Sequence, residues 1–183
     1  MTGLAPDLAV IGVGNVLRGD DAVGVRVVEG LRMAVDCDPH VLPARTRLVD
    51  GGTLGLDLLR TIRDARAVVL VDAVHLGGAF GTVSVLRGDE IAGPAGHRDD
   101  TAPGALGELL ATARLLGWLP GDLALVGIEV ADIDFGIGMS PEVAGALPGA
   151  MSAVRAELHR MNLNPATGMA GGAATARMAG ATA

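Results

Sequence analysis

The chain is predicted to form a single α/β domain, with a central, twisted, mostly parallel sheet of about five strands sandwiched by helices. Three observations carry that expectation. Short apolar runs of strand length alternate with segments whose apolar residues return at helical spacing, the pattern of strands joined by helical crossovers. The first run ends in the glycine turn Gly12-Val13-Gly14, as expected of a strand buried on both faces and feeding a helix. Acids stand just beyond several of the runs, where open sheets of this kind bind ligands.

Each element has its own signal. Residues 8–13 are continuously apolar, and from Asp21 the residues Ala22, Val25, Val28 and Leu31 recur at helical period, giving strand, turn and helix. Residues 45–49 read as a second strand. They are followed by Asp50-Gly51-Gly52-Thr53, a turn in which Thr53 is expected to cap a helix carrying Leu56, Leu59 and Ile62. Residues 67–71 form a third strand with Asp72 directly after it. A fourth, residues 81–86, is expected to be an edge hairpin partner, because the connection through Leu76-Gly77-Gly78 is too short for a helical crossover. Pro103 suits the first turn of a helix bearing Leu106, Leu109, Leu110 and Ala113, with Gly117 as its stop. Residues 122–128 give the last buried strand. Ser140-Pro141-Glu142 then combines cap, first-turn proline and first-turn acid at the start of a helix reaching about Met161. Pro148 within that helix is expected to kink it or break it in two.

Composition narrows the function. With 183 residues, half of them apolar, the chain has enough length for one well-buried core, placed at residues 1–163. The Ala- and Gly-rich stretch 164–183 has no periodicity and is expected to be a disordered tail. Two Phe, one Trp and no Tyr leave almost no platform for stacking bases, and a net charge of −7 opposes phosphate contacts, so nucleic acid is excluded as a partner. The single Cys37 forms no internal disulfide, and no CxxC suggests zinc or redox chemistry. No basic start precedes an apolar stretch, and no apolar run approaches the ~20 residues that span a bilayer. No membrane association is therefore expected, and the cytoplasm is the expected location.

The first turn is the informative one. Gly12-x-Gly14 is followed by Leu17 where a dinucleotide fingerprint needs a third glycine, and no Gly-Lys-Ser/Thr follows, so phosphate binding is disfavoured. Adjacent acids, Asp20 and Asp21, at a helix start repel phosphate and suit a metal cation. The plainer role is helix capping, which one of the two can perform while the other stays free. Acids also follow later strands at Asp50, Asp72 and Glu129. A parallel sheet brings Asp21 and Asp72 to the same edge, where two close carboxylates need a cation or a shared proton. Asp50, preceding Gly51 and Gly52, reads first as a residue that fixes a turn, with a third place in the site as the alternative. Gly14 and Gly24 read as scaffold, with Asn15 bonding the turn. Of the histidines, His40 and His159 are expected at the surface. His97 lies in the loop before the Pro103 helix and His75 three residues after Asp72, so both are within reach of the crevice.

Four blocks resemble the endopeptidases that mature nickel-iron hydrogenases. The first is the run from Gly12-Val13-Gly14-Asn15 through Leu17, Asp20-Asp21 and Gly24 to Arg26, which is similar to the family opening G-x-G-N-x-L-x-x-D-(D/E)-x-x-G-x-R. The others are Asp50-Gly51-Gly52-Thr53-Leu54-Gly55; Asp72-Ala73-Val74 with Gly81-Thr82; and Gly127-Ile128-Glu129 with Gly138-Met139-Ser140-Pro141-Glu142. The resemblance covers about residues 8–160 and implies an α/β sandwich that removes a C-terminal extension from a hydrogenase large-subunit precursor after nickel insertion. Nickel is then carried by the substrate, and Asp21, Asp72 and a histidine contact it, with Asp21 or Asp72 activating water. Ungapped alignment puts Ala102 at the histidine position. A few additional loop residues give the role to His97, and His75, Asp99 or Asp100 are the alternatives. The departure motivates a second reading, a non-cleaving protein that docks on the nickel-loaded subunit and checks its metal. A general metallopeptidase finds no HExxH to support it.

Overall fold

The computed structural model describes residues 8–92, 105–131 and 133–163. His97, Asp99, Asp100, the start of the Pro103 helix and the 164–183 tail therefore lie outside the described residues. The element order is β1 (Leu8–Val13), a 3-10 turn (Gly19–Ala22), α1 (Val23–Cys37), β2 (Thr46–Gly52), a second 3-10 turn (Gly55–Leu58) and α2 (Leu59–Asp64). There follow β3 (Ala67–Val74), β4 (Val83–Arg87), α3 (Asp89–Ala92), α4 (Ala105–Leu115), β5 (Asp122–Glu129) and α5 (Pro141–Leu163).

The five strands form one sheet in the order β2-β1-β3-β5-β4, parallel except for β4, which runs antiparallel to β5. The expected edge position of β4 is present, but the hairpin with β3 is not: β5 inserts between them. Burial explains the choice. β5 is deeply buried along most of its length, whereas every residue of β4 keeps some exposure. The interior place therefore goes to the strand that gains most from two neighbours, and the partly wet one takes the edge.

Side-chain alternation builds a core on each face. Leu8, Val10, Val69 and Val126 pack against α1 and α5 through Val27, Leu31, Val154 and Leu158. Ala9, Ile11, Val68 and Leu70 face the opposite way, onto Leu58, Ile62, Leu109 and Ala113 of the α2 and α4 layer. Acid-base clamps tie α5 to the sheet edge: Arg160 donates to both oxygens of Asp122 at 2.9 and 2.7 Å, and Glu157 accepts from Arg87 Nε at 3.0 Å.

Two helix expectations need correction. Thr53 does not cap the second helical segment, which begins as a 3-10 turn with Leu54 at the cap position and no side-chain bond. Of the two outcomes expected at Pro148, the break does not occur: α5 runs through it from Pro141 to Leu163. A proline inside a helix costs about 3 kcal/mol through a lost hydrogen bond and a clash of its ring with the preceding turn. The buried stripe Ala146, Ala150, Val154 and Leu158 continues across the proline, and its packing holds both halves in one helix.

The feature that positions the site is the contact of α1 with the strand ends. A Cβ on Gly24 would lie 2.3 Å from the carbonyl oxygens of both Val13 and Val71, and one on Gly12 would lie 2.1 Å from the Gly24 oxygen. The start of α1 thus sits directly across the carboxyl ends of β1 and β3, an approach that only hydrogen side chains permit.

Candidate active site

That contact carries Asp21, just before α1, toward Asp72, near the end of β3. Both line a single cavity of about 990 Å³. Each carboxylate is pinned through one oxygen by a main-chain donor. Asn15 N–H donates to Asp21 Oδ2 at 2.8 Å, and Ala73 N–H donates to Asp72 Oδ1 at 2.9 Å. Among the described residues the second oxygen of each has no hydrogen-bond partner. Desolvation by burial pushes the Asp72 carboxyl up to about 7. The Ala73 N–H pulls against that shift, and the negative charge of Asp21 adds to it. The pair is therefore electrostatically coupled, as expected of two acids facing the same space.

The turn before Asp21 is built by its sequence. Gly14 has φ +130° and a Cβ there would fall 1.8 Å from the Asp21 carbonyl oxygen, so glycine is obligatory. Asn15 Oδ1 accepts the Leu17 N–H at 3.0 Å, the turn-bonding role read from the sequence. Neither acid caps α1, whose start has no side-chain cap.

Asp20 does something the sequence reading missed. It is 1 % exposed and accepts from Ser140 N–H at 2.6 Å, from Ser140 Oγ at 3.0 Å and from Ala131 N–H at 3.2 Å. It latches the first turn to the segment preceding α5. Glu129 is likewise a structural acid: its carboxylate receives Leu76 N–H at 2.8 Å and Gly77 N–H at 3.0 Å, fixing the turn after β3. Asp50 lies within β2, exposed, and does not line the cavity. His75, His40 and His159 are exposed and also lie off its lining. Among the described residues no cluster of three or more His, Cys, Asp or Glu is arranged to hold a metal; the acids that line the cavity are Asp21, Asp72 and Asp89, the last paired with Arg114 at 3.8 Å.

The cavity has further walls. Leu106 and Leu110 of α4 and Leu125 of β5 make it largely apolar, and Arg18 adds positive charge, while Arg114 stands opposite Asp89. The spacing of Leu106 and Leu110 was legible as a helical stripe. Arg18 had no signal beyond its place inside the first motif.

The family model described as HycI, hydrogenase maturation protease, matches residues 25–157. The chain is 36% identical over 161 residues to the hydrogenase expression/formation protein HupD of Rhodobacter capsulatus, covering 87% of this chain and 74% of that protein. It is 34% identical over 154 residues to the hydrogenase 2 maturation protease of Escherichia coli K12, covering 82% of this chain and 90% of that one. Among solved structures, the hydrogenase maturating endopeptidase HybD from E. coli superimposes with a TM-score of 0.71 at 34% identity, covering 84% of this chain and 92% of the other. The HycI protease from Thermococcus kodakarensis, at 21% identity and a TM-score of 0.65, shares the fold. Sequence and fold thus agree, and the chain belongs to the hydrogenase maturation protease family.

Proposed function

We propose that this protease removes the C-terminal extension of a nickel-iron hydrogenase large-subunit precursor once nickel has been inserted. Asp21 and Asp72 would receive the substrate's metal. The observation that carries the reading is the pair of pinned carboxylates facing one cavity, each with an oxygen unclaimed by the protein among the described residues. Without a cation such a pair keeps a proton at neutral pH, consistent with the elevated Asp72 carboxyl. A nickel ion brought by the precursor favours the ionised pair and is held by carboxylate oxygen on this side and by the substrate's own ligands on the other.

Recognition then becomes proximity. Metal contact fixes the precursor's C-terminal segment against the cavity, so that the scissile carbonyl and a water meet in one orientation. A carboxylate accepts a proton from the water as its oxygen bonds to the carbonyl carbon. Collapse of the tetrahedral intermediate breaks the C–N bond and returns the proton to the departing amine. Asp21 or Asp72 serves as that acceptor, both lining the cavity that receives the segment. His97 would supply the third metal contact, as the resemblance to the family implies.

Intact-mass measurement of a precursor incubated with the protein tests this directly. Trimming of nickel-loaded precursor and not of the apo form is the expected result. Equal trimming of both removes the metal from the account, and tight binding with no trimming replaces the protease with a docking protein.

A further inference from the structure

Large apolar side chains are exposed on two loops joined next to Arg18, a residue of the cavity wall. Val16 is 38 % exposed, Leu17 56 %, Ile133 37 %, Phe135 86 % and Ile137 90 %. The loops are one unit. Gly136 N–H donates to the Leu17 carbonyl and Gly19 N–H donates to the Gly136 carbonyl, both at 3.0 Å, forming a parallel bridge between Arg18 and Gly136. These two bonds hold Gly136, and with it the flanking Phe135 and Ile137, beside Leu17 and Arg18. Arg18 connects these loops to the site. It lines the cavity with Asp21 and Asp72, donates from Nε to the Ile133 carbonyl at 3.0 Å and lies 5.7 Å from the centre of the Phe135 ring.

We infer that the loop pair 16–18 and 133–137 is the surface on which the folded body of the large-subunit precursor docks, through an apolar patch of its own beside its C-terminal segment. The inference rests on the function proposed above and adds the place of protein recognition. Continuity selects the occupant. None of the five apolar side chains lines the cavity, so a peptide threaded past Asp21 and Asp72 leaves them in water. The domain that carries the peptide must sit over the cavity mouth, and there it covers them. Clustered exposed apolar side chains of this kind mark interaction surfaces, and Arg18, held by Ile133 and Phe135, provides a pre-set donor at the boundary between docking face and cavity.

The test combines kinetics with crosslinking on the full-length protein and nickel-loaded precursor. The double variant Leu17→Ser/Ile137→Ser removes exposed side chains, so its thermal melt should match the parent. KM for the precursor should rise tenfold or more while kcat stays within twofold. A photo-crosslinking phenylalanine analogue placed at Phe135 should form an adduct with the precursor, and the same group placed at the exposed Met33 of α1 should not. Unchanged KM, or equal crosslinking from both positions, overturns the inference while leaving the protease reading intact. An adduct between two copies of this chain overturns it in favour of self-association. Failure of the parent protein to trim precursor at all sinks the proposed function instead.

Discussion

Replacing Asp72 by Asn should stabilise the fold as pH rises, while abolishing activity. The carboxyl titrates near 7 in the folded protein against an ordinary value of 3.8. Between those values the unfolded chain has lost the proton and the native one still holds it. Stability therefore falls as pH rises through this window and levels off once both states are ionised, above about pH 7. At 1.36 kcal/mol per pH unit the full gap corresponds to roughly 4 kcal/mol. Asp72 borders an open cleft and keeps some exposure, so water relaxes part of that cost, and about 1–2 kcal/mol is the magnitude expected in practice. Asparagine has no charge to desolvate, and its side-chain oxygen still accepts the Ala73 N–H. Urea unfolding at pH 4.5, 6 and 8 measures the difference. Asp72→Asn should be close to the parent at pH 4.5 and more stable by about 1–2 kcal/mol at pH 8, with Asp21→Asn narrowing the gap by removing the neighbouring charge. A difference between Asp72→Asn and parent that does not vary with pH would refute the claim that Asp72 is held protonated by its surroundings.

Other parts of the framework give sharper losses. Gly24→Ala places a methyl 2.3 Å from two carbonyl oxygens. It should cost more than about 3 kcal/mol or prevent folding, seen as a lowered urea midpoint or insoluble protein. Asp20→Ala removes an acceptor serving Ser140 and Ala131 and should cost about 2–4 kcal/mol in the same assay, with faster amide exchange at Ser140. Glu157 is held below its ordinary range chiefly by the Arg87 hydrogen bond, with Arg160 also contributing. Its stabilising contribution is present above pH 4.5 and fades as acid protonates it. Glu157→Gln should therefore lose about 1–2 kcal/mol at pH 7 and progressively less at lower pH.

The sequence made some of this legible and hid the rest for reasons that lie in distance along the chain. The β1, turn and α1 unit is local: apolar run, Gly14, Asn15 and the helical return of Val25 and Val28 are adjacent, and the structure follows them. The meeting of Asp21 and Asp72 required only that β1 and β3 be parallel neighbours, which alternating strands and helices already implied. Asp20 was indistinguishable from Asp21 because its partner Ser140 is 120 residues away. Glu129 looked as available as Asp72, since each follows an apolar strand, but the backbone of Leu76 and Gly77 occupies it. The pairing of β4 with β5 is decided by competition between strands for the sheet interior, which short connections alone do not disclose.

The most direct measurement takes nickel-loaded precursor and compares its C-terminal mass after incubation with the parent, Asp21→Asn and Asp72→Asn proteins, each shown to be folded by circular dichroism. The account predicts trimming by the parent and none by either variant, including the more stable Asp72→Asn. Trimming by either variant at the parent rate would contradict it.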